Sequence, residues 1–328
     1  GEQVALLWPN IFNKNLEISF AYPSFKWTNN AKGNAGVTVV IIGIRNISLK
    51  DKYIISNGIS QKVININAYL TNAKSIIIEK RNSPLSDFNE MVLGNAPKDG
   101  GHLLLNKIEK NLLLKDGLPN EFIKKYVGAS EFIRGGERWC LWLSEKNYND
   151  YKYISSLSKR INNVVTMRTS SPKKGTQVFA KTPFRFVEIR HQETNSILVP
   201  SVSSSRRQHL PCGFLTNENV ISNSAQAIYN AEPFTLSILS SKIHLIWVRA
   251  VAGYLKTDYR YSSVLCYNTF PFPTISKQRK EELTQCTLKI IDERLKHSEK
   301  TLAQLYDPDK MPEGLKEAHH QNDLAVER

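Results

Sequence analysis

The chain has 328 residues, 41% of them apolar, with a formal net charge of +14 and a pI near 9.5. That apolar content excludes wholesale disorder, and the length exceeds what one core usually serves, so several domains are expected. No apolar run reaches bilayer-spanning length, and Cys140, Cys212, Cys266 and Cys286 are scattered with no zinc or disulfide spacing; the expectation is a reducing, cytoplasmic setting, no membrane, and a polyanionic partner.

Residues 4–8, 16–21 and 37–44 are short β-branched or aromatic runs bounded by Pro, Asn and Gly, and each reads as a strand. The chain opens almost inside the first of them, which points to a fragment. The third run is continuously apolar, as in a strand buried on both faces of an α/β sheet. Between the second and third lies a polar loop, residues 24–36, carrying Phe25, Trp27, Gly33 and Gly36, in the kind of position where binding residues sit. Trp27 plugging a sheet edge is the competing reading.

Residues 62–78 read as a strand or extended crossing with Asn turns, and residues 81–86 as a Pro-containing domain border. Residues 94–101, with Gly94, Pro97, Gly100 and Gly101, look like a surface turn. They lack the Gly-Lys-Ser/Thr of a phosphate loop. Helices are expected at residues 102–114, 119–126 and 151–161, and a glycine turn at Gly128 feeds a buried aromatic strand around Trp139 and Trp142. Residues 184–190 alternate as a half-exposed strand does. Short strands follow at 196–200 and 213–215. Residues 234–254 read as one long amphipathic helix in which His244 is a core or boundary residue and not a metal ligand. Pro271 and Pro273 impose an extended segment, residues 276–305 form a capped charged helix, and the tail from 313 is a surface helix.

Between Lys146 and Leu210 there are twelve Lys or Arg against three acids, nine units of the chain's net +14. Tyr148, Tyr151, Tyr153, Phe179, Phe184 and Phe186 are interleaved with them. Cations that attract phosphate, mixed with side chains that reach base edges, mark a nucleic-acid reading surface; a solvated basic face accounts for the same count. Nothing in the chain forms a catalytic triad, a metal cluster or a glycine-rich cofactor loop. On its own residues it reads as a reader, not a complete catalyst.

Several segments together resemble one family, the MmeI-like adenine-specific DNA methyltransferases of bacterial restriction-modification systems. They are residues 24–43, Gly128 with Glu131 to Ile133, Arg138 to Leu143, Phe186 to Arg190, Val199 to Arg207, Pro211 to Leu215, Ser241 to His244 with Trp247 to Arg249, Asp258 to Ser262, Tyr267 to Pro273, and Thr301 to Pro308. Their order along almost the whole chain makes the set specific. The resemblance implies the C-terminal part of such an enzyme, α/β and α+β and multidomain. Residues 1–82 would be the last strands of a Rossmann-like methyltransferase sheet, 83–262 a mixed α+β target-recognition domain, and 263–328 a Pro-rich segment and helical extension that packs back or touches DNA.

The family's S-adenosylmethionine loop and Asn-Pro-Pro-Tyr/Phe motif are absent, so no cofactor is expected in this fragment and its standing as an enzyme stays open. S-adenosylmethionine would belong to the full-length protein. The expected partners are double-stranded DNA and an upstream catalytic region, in cis or in trans. A non-catalytic nucleic-acid-binding protein, or a specificity subunit completing a methyltransferase, is the alternative. A base to be methylated must leave the stack, and Phe25 or Trp27 would stack on it. Lys159, Arg160, Arg168, Lys173, Lys174, Lys181, Arg185 and Arg190 are expected to contact DNA, with Arg206 and Arg207 as phosphate clamps.

Overall fold

The computed structural model describes residues 1–27, 38–255 and 257–328. They divide into one unit of Gly1–Phe88, Val202–Arg206 and Ile243–Thr274, and a second of Asn89–Ser201, Arg207–Lys242 and Ile275–Arg328. Part of the loop expected at 24–36 falls at 28–36 and lies outside the described residues.

In the first unit, Glu2–Phe12 is a helix (α1) and not the strand expected at residues 4–8. Val4, Trp8, Ile11 and Phe12 recur at helical spacing, and that face packs on Ile18 and Ala21 of β1 (Leu16–Lys26). With β2 (Thr38–Asn46), β3 (Lys52–Ser56) and β4 (Ile59–Val63), β1 forms a sheet in the order β2-β1-β3-β4, parallel only between β1 and β3. Among the described residues, the strand expected to be buried on both faces is therefore an edge strand. None of its residues is buried, and Val40, Ile41 and Ile44 are more than two-fifths exposed. Of the crossing expected at 62–78, only the start is strand. Asn67 turns the chain next, its side-chain oxygen accepting from the Tyr69 and Thr71 N–H groups at 3.0 and 3.1 Å.

The second unit starts with β5 (Met91–Leu93), β6 (Leu104–Leu105), α2 (Lys107–Lys115) and β7 (Ile123–Val127). The helix expected at 119–126 is thus a single 3-10 turn, Asn120–Phe122, running into a strand that needs partners on both sides. Then come α3 (Ala129–Arg134), β8 (Trp139–Leu141), α4 (Glu145–Tyr151), α5 (Ser155–Thr169), α6 (Lys174–Gln177) and β9 (Ser196–Pro200). β8 is wholly buried, as the aromatic run predicts. The expected strand at 184–190 does not form. It keeps the alternation in burial, with Phe184 and Phe186 inside and Arg185 outside, but pairs only through one bridge, Ala96 to Glu188.

β10 (Val202–Ser203) belongs to the first unit, whereas β11 (Gly213–Leu215), β12 (Asn219–Ile221), β13 (Ala225–Tyr229) and α7 (Pro233–Ser240) continue the second. Its sheets run β11-β9-β13-β5 and β12-β7-β8-β6. The long helix expected over 234–254 is broken into α7 and α8 (Lys242–Val251). Ser241 is extended at the break, its hydroxyl bonded to the Ile238 carbonyl at 2.7 Å, and Asp323 accepts the Lys242 N–H at 2.8 Å. The local hydrogen bonds that serine offers compete with the helix ladder there.

β14 (Gly253–Leu255) and β15 (Asp258–Arg260) extend β10 into a small sheet of the first unit. His244 is fully buried beside the Tyr261 hydroxyl at 3.0 Å, as a core histidine.

α9 (Lys277–Leu295) is capped by Ser276 as expected but ends ten residues short of the Leu305 expected, the chain turning before α10 (Leu302–Leu305); α11 (Glu313–Glu327) follows. α11 is not merely a surface helix: Leu315, Ala318, His319, Asn322 and Asp323 are buried. Asn322 holds Ser237 of α7 through the serine hydroxyl and carbonyl, at 2.5 and 3.0 Å. The architecture is the expected mixed α/β one, several small sheets followed by C-terminal helices. Among the described residues no single helix is long and apolar enough to cross a membrane.

Candidate nucleic-acid interface

Counting donors separates the arginines. A guanidinium carries five N–H donors. Arg168, fully buried at the end of α5, spends all of them on backbone carbonyls: Nε on Lys98, Nη1 on Phe179 and Thr182, Nη2 on Pro97 and Arg185, at 2.7 to 3.1 Å. Nothing remains for DNA. The expectation that Arg168 touches DNA is overturned by this burial; its role is to fold the chain from 179 to 185 against the loop at 97–98. Arg160 is likewise drawn inward, bonded to the His102 and Leu104 carbonyls and the Glu109 carboxylate with 17% of its side chain exposed.

The backbone that Arg168 holds carries Lys181 and Arg185, and with the preceding Lys173 and Lys174 these make a cationic rim along the chain. Lys173 precedes α6, Lys174 opens it, Lys181 closes the 3-10 turn Val178–Lys181, and Arg185 follows. All of these are exposed, as is Lys159 on α5, and none has a carboxylate partner among the described residues. Arg185 also edges a cleft of about 400 Å³ with Trp142, Phe184, Phe186, Glu145 and Asn147.

Arg190 is intermediate. Nη1 donates to the Gly94 carbonyl at 3.1 Å and Nη2 to Glu188 at 2.9 Å, leaving donors free on a side chain 35% exposed. Glu188 also meets Lys98 at 2.5 Å, and these two cations hold its carboxyl below the usual range. The backbone here hangs from Asn95, which is fully buried. Its Oδ1 accepts from the N–H groups of both Arg190 and His191, at 2.6 and 2.9 Å, and its Nδ2 donates to the Ile221 carbonyl at 2.8 Å. His191 then points inward, edge-on to Trp142 and beside Lys124, and burial lowers its pKa.

The segment at 94–101 is consequently neither a surface turn nor a phosphate cradle. Asn95, Ala96 and Asp99 are buried, and its carbonyls are the anchors for Arg168 and Arg190. Gly100 and Gly101 are required by the turn, at φ +68° and +88°, where Asp99 accepts the Gly101 N–H at 3.1 Å. Sequence reading missed Asn95, Lys98 and Glu188. The signal was the Asn between a Gly and an Ala-Pro, which reads equally well as a turn.

In the first unit, Phe25 lies at the end of β1 opposite Val39, and Trp27 just beyond; both are partly exposed, at 36% and 49%. Arg206 is exposed and falls in the first unit, whereas Arg207 is half-buried and falls in the second. Of the glycines in the described strands and turns of this sheet, Gly58 serves a hairpin turn and Gly43 lies in β2 under Phe20.

The second unit is a body of small mixed sheets carrying exposed cations, the first unit holds a sheet of four strands of which β1 and β2 are the longest, and helices end the chain, an arrangement that suits a target-recognition module. Family models agree along the whole length: the MmeI DNA-methyltransferase domain matches residues 1–56, the MmeI target recognition domain residues 72–274, and the MmeI C-terminal domain residues 275–328. The chain belongs to the MmeI family. It is 45% identical over 331 residues to DNA methyltransferase A of Bacillus subtilis (strain 168), covering all of this chain and 37% of that protein. It also matches the structure of the type IIL restriction-modification enzyme MmeI in complex with DNA, with a TM-score of 0.95 and 36% identity over 100% of this chain and 45% of that one. The chain thus spans less than half of either relative.

Proposed function

We propose that this chain is the DNA-reading part of a site-specific methyltransferase of a restriction-modification system, one that modifies adenine at N6. It grips double-stranded DNA while an upstream catalytic region, in cis or in trans, binds S-adenosylmethionine and transfers the methyl group. The observation that carries this reading is the target-recognition match over residues 72–274, which includes the rim where Lys173, Lys174, Lys181 and Arg185 stand exposed. Lys159, Arg206 and Arg207 add phosphate contacts, and Arg190 reads a base edge.

Support for an upstream region is the partial methyltransferase match at 1–56, together with the first unit's sheet, which leaves Phe20, Tyr22, Val40, Ile41, Ile44 and Tyr53 exposed. So much uncovered apolar surface fits a sheet that is completed by more of its own domain. Phe25 and Trp27 stack on the extruded adenine.

Competition between duplex and single-stranded oligonucleotides tests the reading of DNA: duplex of mixed sequence should displace bound duplex, and single strands should do so far less well. Supplying the upstream region and S-adenosylmethionine should then yield N6-methyladenine in the duplex. Preference for single strands would contradict the first part of the proposal, and a methylated cytosine the second.

A further inference from the structure

We infer that Asn95 is a positioning residue for sequence reading: it fixes the backbone from which Arg190 reaches a base edge. The inference rests on the proposed DNA-reading function.

In an extended strand successive N–H groups point to opposite edges. Arg190 and His191 instead direct theirs at the single oxygen of Asn95, so the chain bends there. This bend ends the alternating run 184–190. It also gives Arg190 a fixed origin, because the oxygen that holds it is itself locked. The Asn95 backbone N–H donates to the Ile221 carbonyl at 2.7 Å, its carbonyl accepts from the Tyr126 hydroxyl at 2.9 Å and the Asn223 N–H at 3.0 Å, and its amide donates to Ile221 again. The buried His191 ring pins the far side of the bend.

At the other end of the side chain, the Gly94 carbonyl and Glu188 orient the guanidinium while leaving donors unspent. Bidentate contact to a base tolerates little error, since a hydrogen bond lengthened from about 2.9 Å by 1 Å is no longer one. Asn95 touches no DNA in this account. It acts through Arg190.

The test compares wild type, Asn95→Asp, Asn95→Ser and Arg190→Gln by selection from a random-sequence duplex pool, with thermal melting of each. Asn95→Asp is nearly isosteric and keeps the accepting oxygen, but it loses the donor to Ile221. Arg190→Gln should erase preference at one base pair of the selected site, by roughly ten- to a hundredfold. Both Asn95 variants should weaken preference at that same base pair, with other positions changing by less than about threefold, and the Asn95→Asp, Arg190→Gln double variant should be no worse than Arg190→Gln alone. An even loss at every position would mean Asn95 is merely structural and would overturn the inference. So would unprotected Arg190 and His191 amides in hydrogen exchange of the wild-type chain, a readout that holds even if both Asn95 variants fail to fold. A wild type that selects no sequence at all overturns the DNA-reading function itself, a result distinct from either.

Discussion

Arg168 donates to the carbonyl of Arg185 at 2.7 Å, so a guanidinium with no exposed surface fixes the backbone of one that faces solvent. The two are indistinguishable as entries in a charge count, and their roles are opposite. The buried one organises; the exposed one is available to a phosphate or a base.

Replacing Arg168 by Ala should therefore unfold the rim without acting through DNA. Five carbonyls lose their donor inside the protein, and breaking such a buried charged network costs about 3–5 kcal/mol. Lys in its place offers three donors at most and should recover only part of the loss. Urea denaturation of the two variants measures this; a change under about 1 kcal/mol would contradict the assigned role.

Gly94→Ala should disturb the same loop by a different route. An added Cβ would lie 2.1 Å from the Ser222 carbonyl oxygen, a backbone atom that cannot swing aside. Strain of about 1–3 kcal/mol or more is expected, measured as a lower denaturation midpoint. An unchanged midpoint would mean that the Gly94 and Ser222 backbones do not pass so closely.

Acid should destabilise the chain well before its carboxylates are protonated. Burial lowers the pKa of His244 to about 3 and lowers those of His209 and His319, which stack at 4.0 Å in the second unit. The unfolded state then binds more protons once pH falls below the ordinary histidine value near 6.5. The stability contributed by neutral histidine is complete above that value and is lost below it, at up to about 1.4 kcal/mol per pH unit for each group. Chemical denaturation at pH 7.5, 6.5 and 5.5 should show the midpoint nearly flat over the first step and falling over the second. His244→Gln should shallow the fall; a midpoint that rises on acidification would contradict the burial of all three.

Much of the architecture is legible in the residues. The aromatic run at β8, the Ser276 cap, the buried His244 and the concentration of charge between Lys146 and Leu210 follow from pattern and chemistry. The failures have physical causes. Val4 to Trp8 is too short to separate a period of 2 from one of 3.6, and its helix is fixed by the sheet beneath it. The continuous apolar run in β2 is not doubly buried among the described residues because β2 stands at the edge of their sheet. Arg168 looked like its neighbours because charge is local and burial is not. Asn95 was invisible because its partners, Arg190, His191 and Ile221, lie about a hundred residues away along the chain.

The most direct test of the central claim is the dependence of duplex affinity on salt, for the wild-type chain and for a variant with Lys173, Lys174, Lys181 and Arg185 all changed to Ala. Each phosphate neutralised contributes a slope of about −0.9 in log affinity against log salt. If these four side chains meet phosphate, the variant should bind more weakly and lose roughly 3 to 4 units of that slope, while its melting temperature stays within about 2 °C of wild type because exposed, unpaired cations hold little stability. Equal slopes for the two proteins, or no duplex binding by the wild type at any salt concentration, would contradict the account.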